Sequence, residues 1–112
     1  NDPIEINRAL ISSGFAYDVT NRIEQLKIIN VLLPKIRDLR RIGSAAADIC
    51  HVATGLVDGY FETGLFEWDL AAAQLIAEEA GAVVTTRKWH GLDLTVAAGP
   101  HLYQQLNAQI PE

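Results

Sequence analysis

The chain has no methionine, a single cysteine, three histidines and only nine lysines and arginines, and each shortage closes off a class of function. Cys50 alone cannot form an intrachain disulfide, so a disulfide scaffold is excluded and a reducing, cytoplasmic setting is expected. It lies in an apolar helical pattern, which predicts a buried, inert thiol rather than a nucleophile. His51, His90 and His101 share no short helical spacing with one another or with Cys50, so no zinc pattern emerges. Fourteen acidic residues against nine basic ones leave a net charge of −5, whereas nonspecific nucleic-acid binding needs a basic surface. No apolar run approaches the roughly 18 residues that span a bilayer. The opening Asn1-Asp2-Pro3-Ile4-Glu5 is too polar for a signal peptide. Without any methionine and with asparagine first, the chain reads as a piece of something longer.

What is present suffices for one small core: 49% of the 112 residues are apolar, and nothing divides them into two domains. Ala9 to Ser13 reads as a short buried strand closed by Gly14. Val19, Ile23, Leu26, Ile29 and Leu33 then recur every three or four residues, the spacing of a helix face, until Pro34 stops or kinks it. Leu39 to Ile42 reads as a strand carrying Arg40 and Arg41, and Ser44 as the N-cap of a helix ending near Gly55 and Leu56. Asp58-Gly59 turns the chain into the strand Tyr60-Phe61-Glu62. A helix, a strand over Val83 to Thr86, a polar loop from Arg87 to Asp93, a strand over Leu94 to Ala98 and a helix over His101 to Ile110 complete the chain. Alternating strands and helices predict an α/β fold with a layered, parallel or mixed sheet. Asp48, Asp58 and Asp93 fall where solvated carboxylates are expected, and Trp89-His90-Gly91 reads as a loop lying over apolar surface.

Residues 66–81, Phe-Glu-Trp-Asp-Leu-Ala-Ala-Ala-Gln-Leu-Ile-Ala-Glu-Glu-Ala-Gly, carry the most chemistry. From Leu70 the run is rich in strong helix formers, and Gly81 is a natural stop. Asp69 is therefore expected at or near the N-cap, favoured by free N–H groups and the helix dipole. One carboxylate oxygen can cap while the other holds a cation, and Ala71, Ala72 and Ala73 leave room for a ligand. An ordinary aspartate cap fits the same residues. Gly43-Ser44-Ala45-Ala46 makes a second small-residue helix start whose N–H groups could donate to a hydroxyl or an anion. Ser44 has no neighbouring histidine motif to make it a nucleophile.

Trp68-Asp69-x-Ala71-Ala72-x-x-Leu75-Ile76-x-x-Glu79-Ala80-Gly81 resembles the C-terminal signature of the inositol monophosphatase family, magnesium-dependent and lithium-sensitive sugar-phosphate phosphatases. It departs only at Ala73 and Ala82, where the family usually has glycine. The family also has Gly-[Ser/Thr]-Ala-Ala 26 residues before its metal-binding aspartate, the separation of Gly43 from Asp69 here. The resemblance implies that Asp69 is a ligand of a catalytic Mg²⁺. It implies that the backbone at Gly43, Ser44 and Ala45 lines the pocket for the substrate's ring hydroxyls, and that Glu62 accepts hydrogen bonds from them. A carboxylate takes two or more O–H donors and repels an added phosphate, which suits a polyol monophosphate over adenosine 3′,5′-bisphosphate. Ser13 resembles a serine or threonine that approaches the substrate, although a strand-end turn explains it equally. Arg40 and Arg41 could line the pocket rim, but a dimer contact or a solvated surface suits them better.

A two-metal phosphatase needs several carboxylates to hold ions roughly 4 Å apart, and only one convincing ligand is present. The family's other ligands lie in a Gly-Glu segment and an Asp-Pro-x-Asp-Gly-Thr segment, neither of which occurs here. The expectation is thus the C-terminal half of the family's αβαβα sandwich, residues 1–112 forming one α/β segment without the N-terminal half. It would be inactive alone and would expose an apolar face. The parent would be a homodimeric phosphomonoesterase acting on a small phosphate monoester, without membrane or direct nucleic-acid partners. The runner-up is a noncatalytic interaction protein, since some bacterial members serve in RNA-related assemblies. Histidinol phosphate or fructose bisphosphate are alternative substrates.

Overall fold

The computed structural model describes residues 2–3, 5–14, 19–41, 44–63 and 67–111, the side chains of 19–21 and 67–70 excepted. A 3₁₀ turn at Ile6–Arg8 leads into β1 (Leu10–Ser13), followed by α1 (Val19–Leu32), β2 (Asp38–Arg40) and α2 (Ala45–Thr54). Then come β3 (Gly59–Thr63), α3 (Glu67–Glu79), β4 (Val83–Trp89), β5 (Leu92–Ala98) and α4 (Pro100–Gln109). The five strands form one mixed sheet in the order β2-β1-β3-β5-β4. β1 pairs in parallel with β2 and β3, and β5 runs antiparallel to both β3 and β4. Helices α1 and α4 cover one face and α2 and α3 the other, giving three layers. The expected α/β class and mixed sheet are what the chain forms.

Strand alternation divides the core in two. Ile11, Phe61, Leu94, Val96 and Ala98 point towards α1 and α4, where Ile28, Leu32, Leu102 and Leu106 close a large apolar cluster. Tyr60, Val84 and Ala97 point the other way, onto Ile49 and Val52 of α2 and Ala73 and Ala77 of α3. The small alanines let α3 lie close to the sheet. Helix α2 has the expected ends: Ser44 Oγ accepts from the Ala47 amide at 3.3 Å, and Gly55 closes it at φ 82. No helix among the described residues is long and apolar enough to cross a membrane.

Three expectations need correction. The buried stripe of α1 is Gln25, Ile28, Ile29 and Leu32, so Ile23, Leu26 and Leu33 face outward; apolar residues on both sides of the helix leave the facing side to tertiary contacts. The polar loop over Arg87 to Asp93 is instead a hairpin, turning at His90 and Gly91 with φ 49 and 78, the positive angles of a type I′ turn. Arg87 and Lys88 belong to the outer strand, where charged side chains protect an open edge. Trp89 is buried and donates its Nε1–H to the Pro111 carbonyl. Asp58 is buried and accepts the Leu10 amide at 2.8 Å, and Asp48 is fully buried as well. Helix α3 begins at Glu67, so Asp69 stands within its first turn, near the N-cap.

Candidate functional site

The topology gathers the singled-out residues at one edge of the sheet. β1, β2 and β3 are parallel, and each ends at the same side, at Ser13, Arg40 and Thr63. Each is followed there by the start of a helix: α1, α2 and α3. Open α/β sheets bind ligands at the carboxyl ends of parallel strands, because helix N-termini and their free N–H groups converge there. Ser44 and Ala45 open α2 at that edge, Asp69 lies in the first turn of α3, and Glu62 is the penultimate residue of β3. Gly43 lies outside the described residues, as does the side chain of Asp69.

Glu62 is half-buried on the face of α2 and α3, the same face as Tyr60 two residues earlier. The Tyr60 hydroxyl donates to Glu62 Oε1 at 2.7 Å. Gly14 also lies against it, where an added Cβ would meet the same Oε1 and force it to shift. Behind them, Asp48 on α2 is fully buried, and neither of its oxygens, nor Ser12 Oγ opposite Tyr60 in the sheet, has a hydrogen-bond partner among the described residues. Burial pushes the Asp48 carboxyl above the ordinary aspartate range, and the nearby Ser12 hydroxyl and His51 pull only partly against it. Burial, together with the charges of Glu62 and Asp48, pushes the Tyr60 phenol far up, so it stays a donor.

Ser13 points the other way. It is buried on the α1 face, donates to the Phe61 carbonyl at 2.7 Å and accepts from Gln25 Nε2 at 2.9 Å. Gln25 also donates to the Gly14 carbonyl and accepts from Thr63 Oγ1 at 2.9 Å. One buried amide therefore ties the ends of β1 and β3 together, directly beneath Glu62. The Ser13 hydroxyl makes the hydrogen bonds of a brace between strand ends. Gln25, Gly14 and Tyr60 escaped the sequence reading. Signals existed for two of them: Gln25 is a lone polar residue in line with Ile28, Ile29 and Leu32, and Tyr60 shares a strand face with Glu62.

Elsewhere, a shallow pocket of about 170 Å³ lies at the opposite end of the sheet, between Asp2, Val52, Ala53 and residues 80–82 and 99–100. Its carboxylate is already engaged: Asp2 accepts the His101 and Leu102 amides at 3.2 and 3.0 Å, capping α4 where Gly99 has no side chain to do so. Among the described residues no group of three or more acidic, histidine or cysteine side chains could hold a metal. A complete metal site is therefore not formed by the described residues alone.

The three-layer fold with its helix starts gathered at the parallel strand ends defines a class of α/β proteins, and the comparisons specify which. The model of the inositol monophosphatase family matches residues 1–110. An inositol-1-monophosphatase of Mycobacterium leprae is 44% identical over 110 residues, covering 95% of this chain and 38% of that protein. The Nus factor SuhB of Vibrio cholerae is 44% identical over 82 residues, 72% of this chain and 31% of that protein. Among solved structures, Mycobacterium tuberculosis SuhB superposes with a TM-score of 0.87 at 42% identity, covering 97% of this chain and 43% of that one. The inositol monophosphatase of Anabaena gives 0.81 at 31%, covering 99% and 47%. The chain belongs to the inositol monophosphatase family. It spans less than half the length of these relatives.

Proposed function

We propose that residues 1–112 are the C-terminal part of a phosphomonoesterase and supply its alcohol-recognition wall and one metal ligand. Glu62 carries the reading. It is a half-buried carboxylate at the carboxyl end of a parallel strand, beside two helix starts, with Oε1 held by Tyr60. Such a carboxylate accepts hydroxyl donors, and the N–H groups at Ser44 and Ala45 add donors of their own, which together suit a polyol monophosphate such as inositol phosphate. Asp69, in the first turn of α3, is the ligand this chain offers, and magnesium is the ion implied. When bound, the metal would activate a water and neutralise charge on the phosphate. The residues here orient the alcohol portion, and the buried Ser13–Gln25–Thr63 brace keeps the two strand ends in register. Magnesium, a homodimer and a cytoplasmic setting belong to the same proposal.

The lack of a complete metal-ligand group among the described residues, and the 38% coverage of the M. leprae relative, support a division of labour with residues outside this sequence. The isolated 112-residue chain should then release negligible phosphate, and the longer parent should hydrolyse inositol phosphate. In the parent, Glu62→Ala should cut discrimination between inositol phosphate and a simple aryl phosphate while leaving the metal requirement nearly unchanged. Equal effects on the two substrates would make Glu62 a surface residue. A second reading, a noncatalytic interaction role, is supported by relatives named Nus factor SuhB in V. cholerae and Pasteurella multocida. A parent with no phosphate release on any sugar phosphate would favour it.

A further inference from the structure

We infer that Tyr60 is a positioning residue that fixes the Glu62 carboxylate in one orientation, so that the alcohol-recognition contact is preorganised before substrate arrives. The inference rests on the reading of Glu62 above and adds to it a residue that orients its carboxylate.

Three observations converge. Tyr60 is fully buried among Ile49, Val52, Ala73 and Ala77, so its ring has no freedom to swing away. Its hydroxyl donates to Glu62 Oε1 at 2.7 Å, a charge-assisted geometry. Gly14 lies against the same Oε1, so that a Cβ there would force the carboxylate to shift, and its carbonyl is held by Gln25. The carboxylate thus meets both a rigid phenol and a braced backbone turn. The tyrosine cannot exchange its role for a charged one: burial comes first, then Glu62 on one side and Asp48 on the other, all favouring the protonated phenol. A glutamate left to itself spreads over several rotamers, and a hydroxyl binding it must first order the side chain. Anchoring Oε1 narrows the directions in which the carboxylate can accept.

The test uses the full-length parent with inositol phosphate and an aryl phosphate as paired substrates, and compares Tyr60→Phe, Glu62→Gln and the double variant. Tyr60→Phe removes one oxygen from a well-packed ring, and a thermal melt confirms folding. Expected is a rise in KM for inositol phosphate of about tenfold, the usual size of one hydrogen bond to a charged group. The aryl phosphate should keep its kcat and KM, and the double variant should be no worse than Glu62→Gln alone. If Glu62→Gln loses discrimination and Tyr60→Phe keeps it, the inference is overturned and the reading of Glu62 stands. If Glu62→Gln itself keeps discrimination, both are overturned. Equal losses on the two substrates would make Tyr60 structural and also overturn the inference. Glu62→Asp gives a second check that leaves Tyr60 intact: it retains the charge but draws the carboxylate back by one methylene. It should cost about as much as Glu62→Gln on inositol phosphate, and wild-type kinetics would contradict the anchoring.

Discussion

The two faces of the sheet are built to different ends. Towards α1 and α4 the interior is large and apolar, with Ile11, Phe61, Leu94, Val96, Leu102 and Leu106 all essentially without exposure. The polar groups on that side, Ser13, Gln25 and Thr63, satisfy one another. Towards α2 and α3 the apolar cluster is smaller and alanine-rich, and polar groups reach into it: Ser12, Asp48, Tyr60 and Glu62. Two of them, Ser12 and Asp48, have no hydrogen-bond partner among the described residues. Burying an unpaired carboxyl costs stability, so one face holds the fold together while the other gives some of that stability up. The face that gives it up is the one bearing Glu62.

That contrast can be broken by mutation. The largest effect is expected from Phe61→Ala, which empties the α1–α4 core and should destabilise by about 3–5 kcal/mol. Urea unfolding measures it; a change under about 1 kcal/mol would mean this face is not the stabilising one. On the opposite face the sign should reverse. Asp48→Asn removes a charge that burial disfavours and should raise stability at neutral pH, by on the order of 1 kcal/mol. The raised pKa gives a further signature. Stability of the wild type should fall as pH rises above the unfolded-state aspartate value and level off above the folded one, because the folded state holds the proton more tightly. Asp48→Asn should flatten that slope, as seen by melting temperature between acid and neutral pH; an unchanged slope would assign it to other groups. The smallest effect is expected at Asp2. Burial pulls its carboxyl up, but the Leu102 and His101 amides and the His101 ring outweigh this and leave it below the ordinary value. Its contribution is therefore present above the unfolded-state value and lost as pH falls through the folded one. Asp2→Ala should cost roughly 0.5–1 kcal/mol, the low end for a lost cap, and do so only above that window.

Much of the architecture was legible because local punctuation and global fold agree. Ser44 and Gly55 bound α2, the helical pattern from Val19 stops before Pro34, and Gly99-Pro100 opens α4. What stayed hidden depended on partners far along the chain. The outward turn of Ile23 and Leu26 follows from Gln25 meeting Ser13, Gly14 and Thr63, contacts that helical spacing cannot reveal. The β4–β5 hairpin was masked by Arg87, Lys88 and Asp93, whose charges suit an edge strand as well as a loop. Burial of Asp48 was hidden for the same reason: an aspartate one turn into a helix reads as solvated until the sheet beneath it is in place. At the candidate site, Glu62 and Asp69 stood out through the family pattern, whereas Tyr60 and Gly14 come into view only through their shared approach to one carboxylate oxygen.

The central claim is that the α2–α3 face is the functional one and that its first-turn aspartate serves a metal rather than the helix. Asp69→Asn in the full-length parent tests it most directly. Asparagine keeps the size of the side chain, and the lost charge at a helix start should cost no more than about 1 kcal/mol of stability. Activity should fall by roughly 100-fold or more, since even outer-shell ligand changes cost 10–100-fold, and the magnesium concentration for half-maximal rate should rise. Unchanged kinetics with a lowered melting temperature would contradict the account and leave Asp69 a helix-stabilising residue alone.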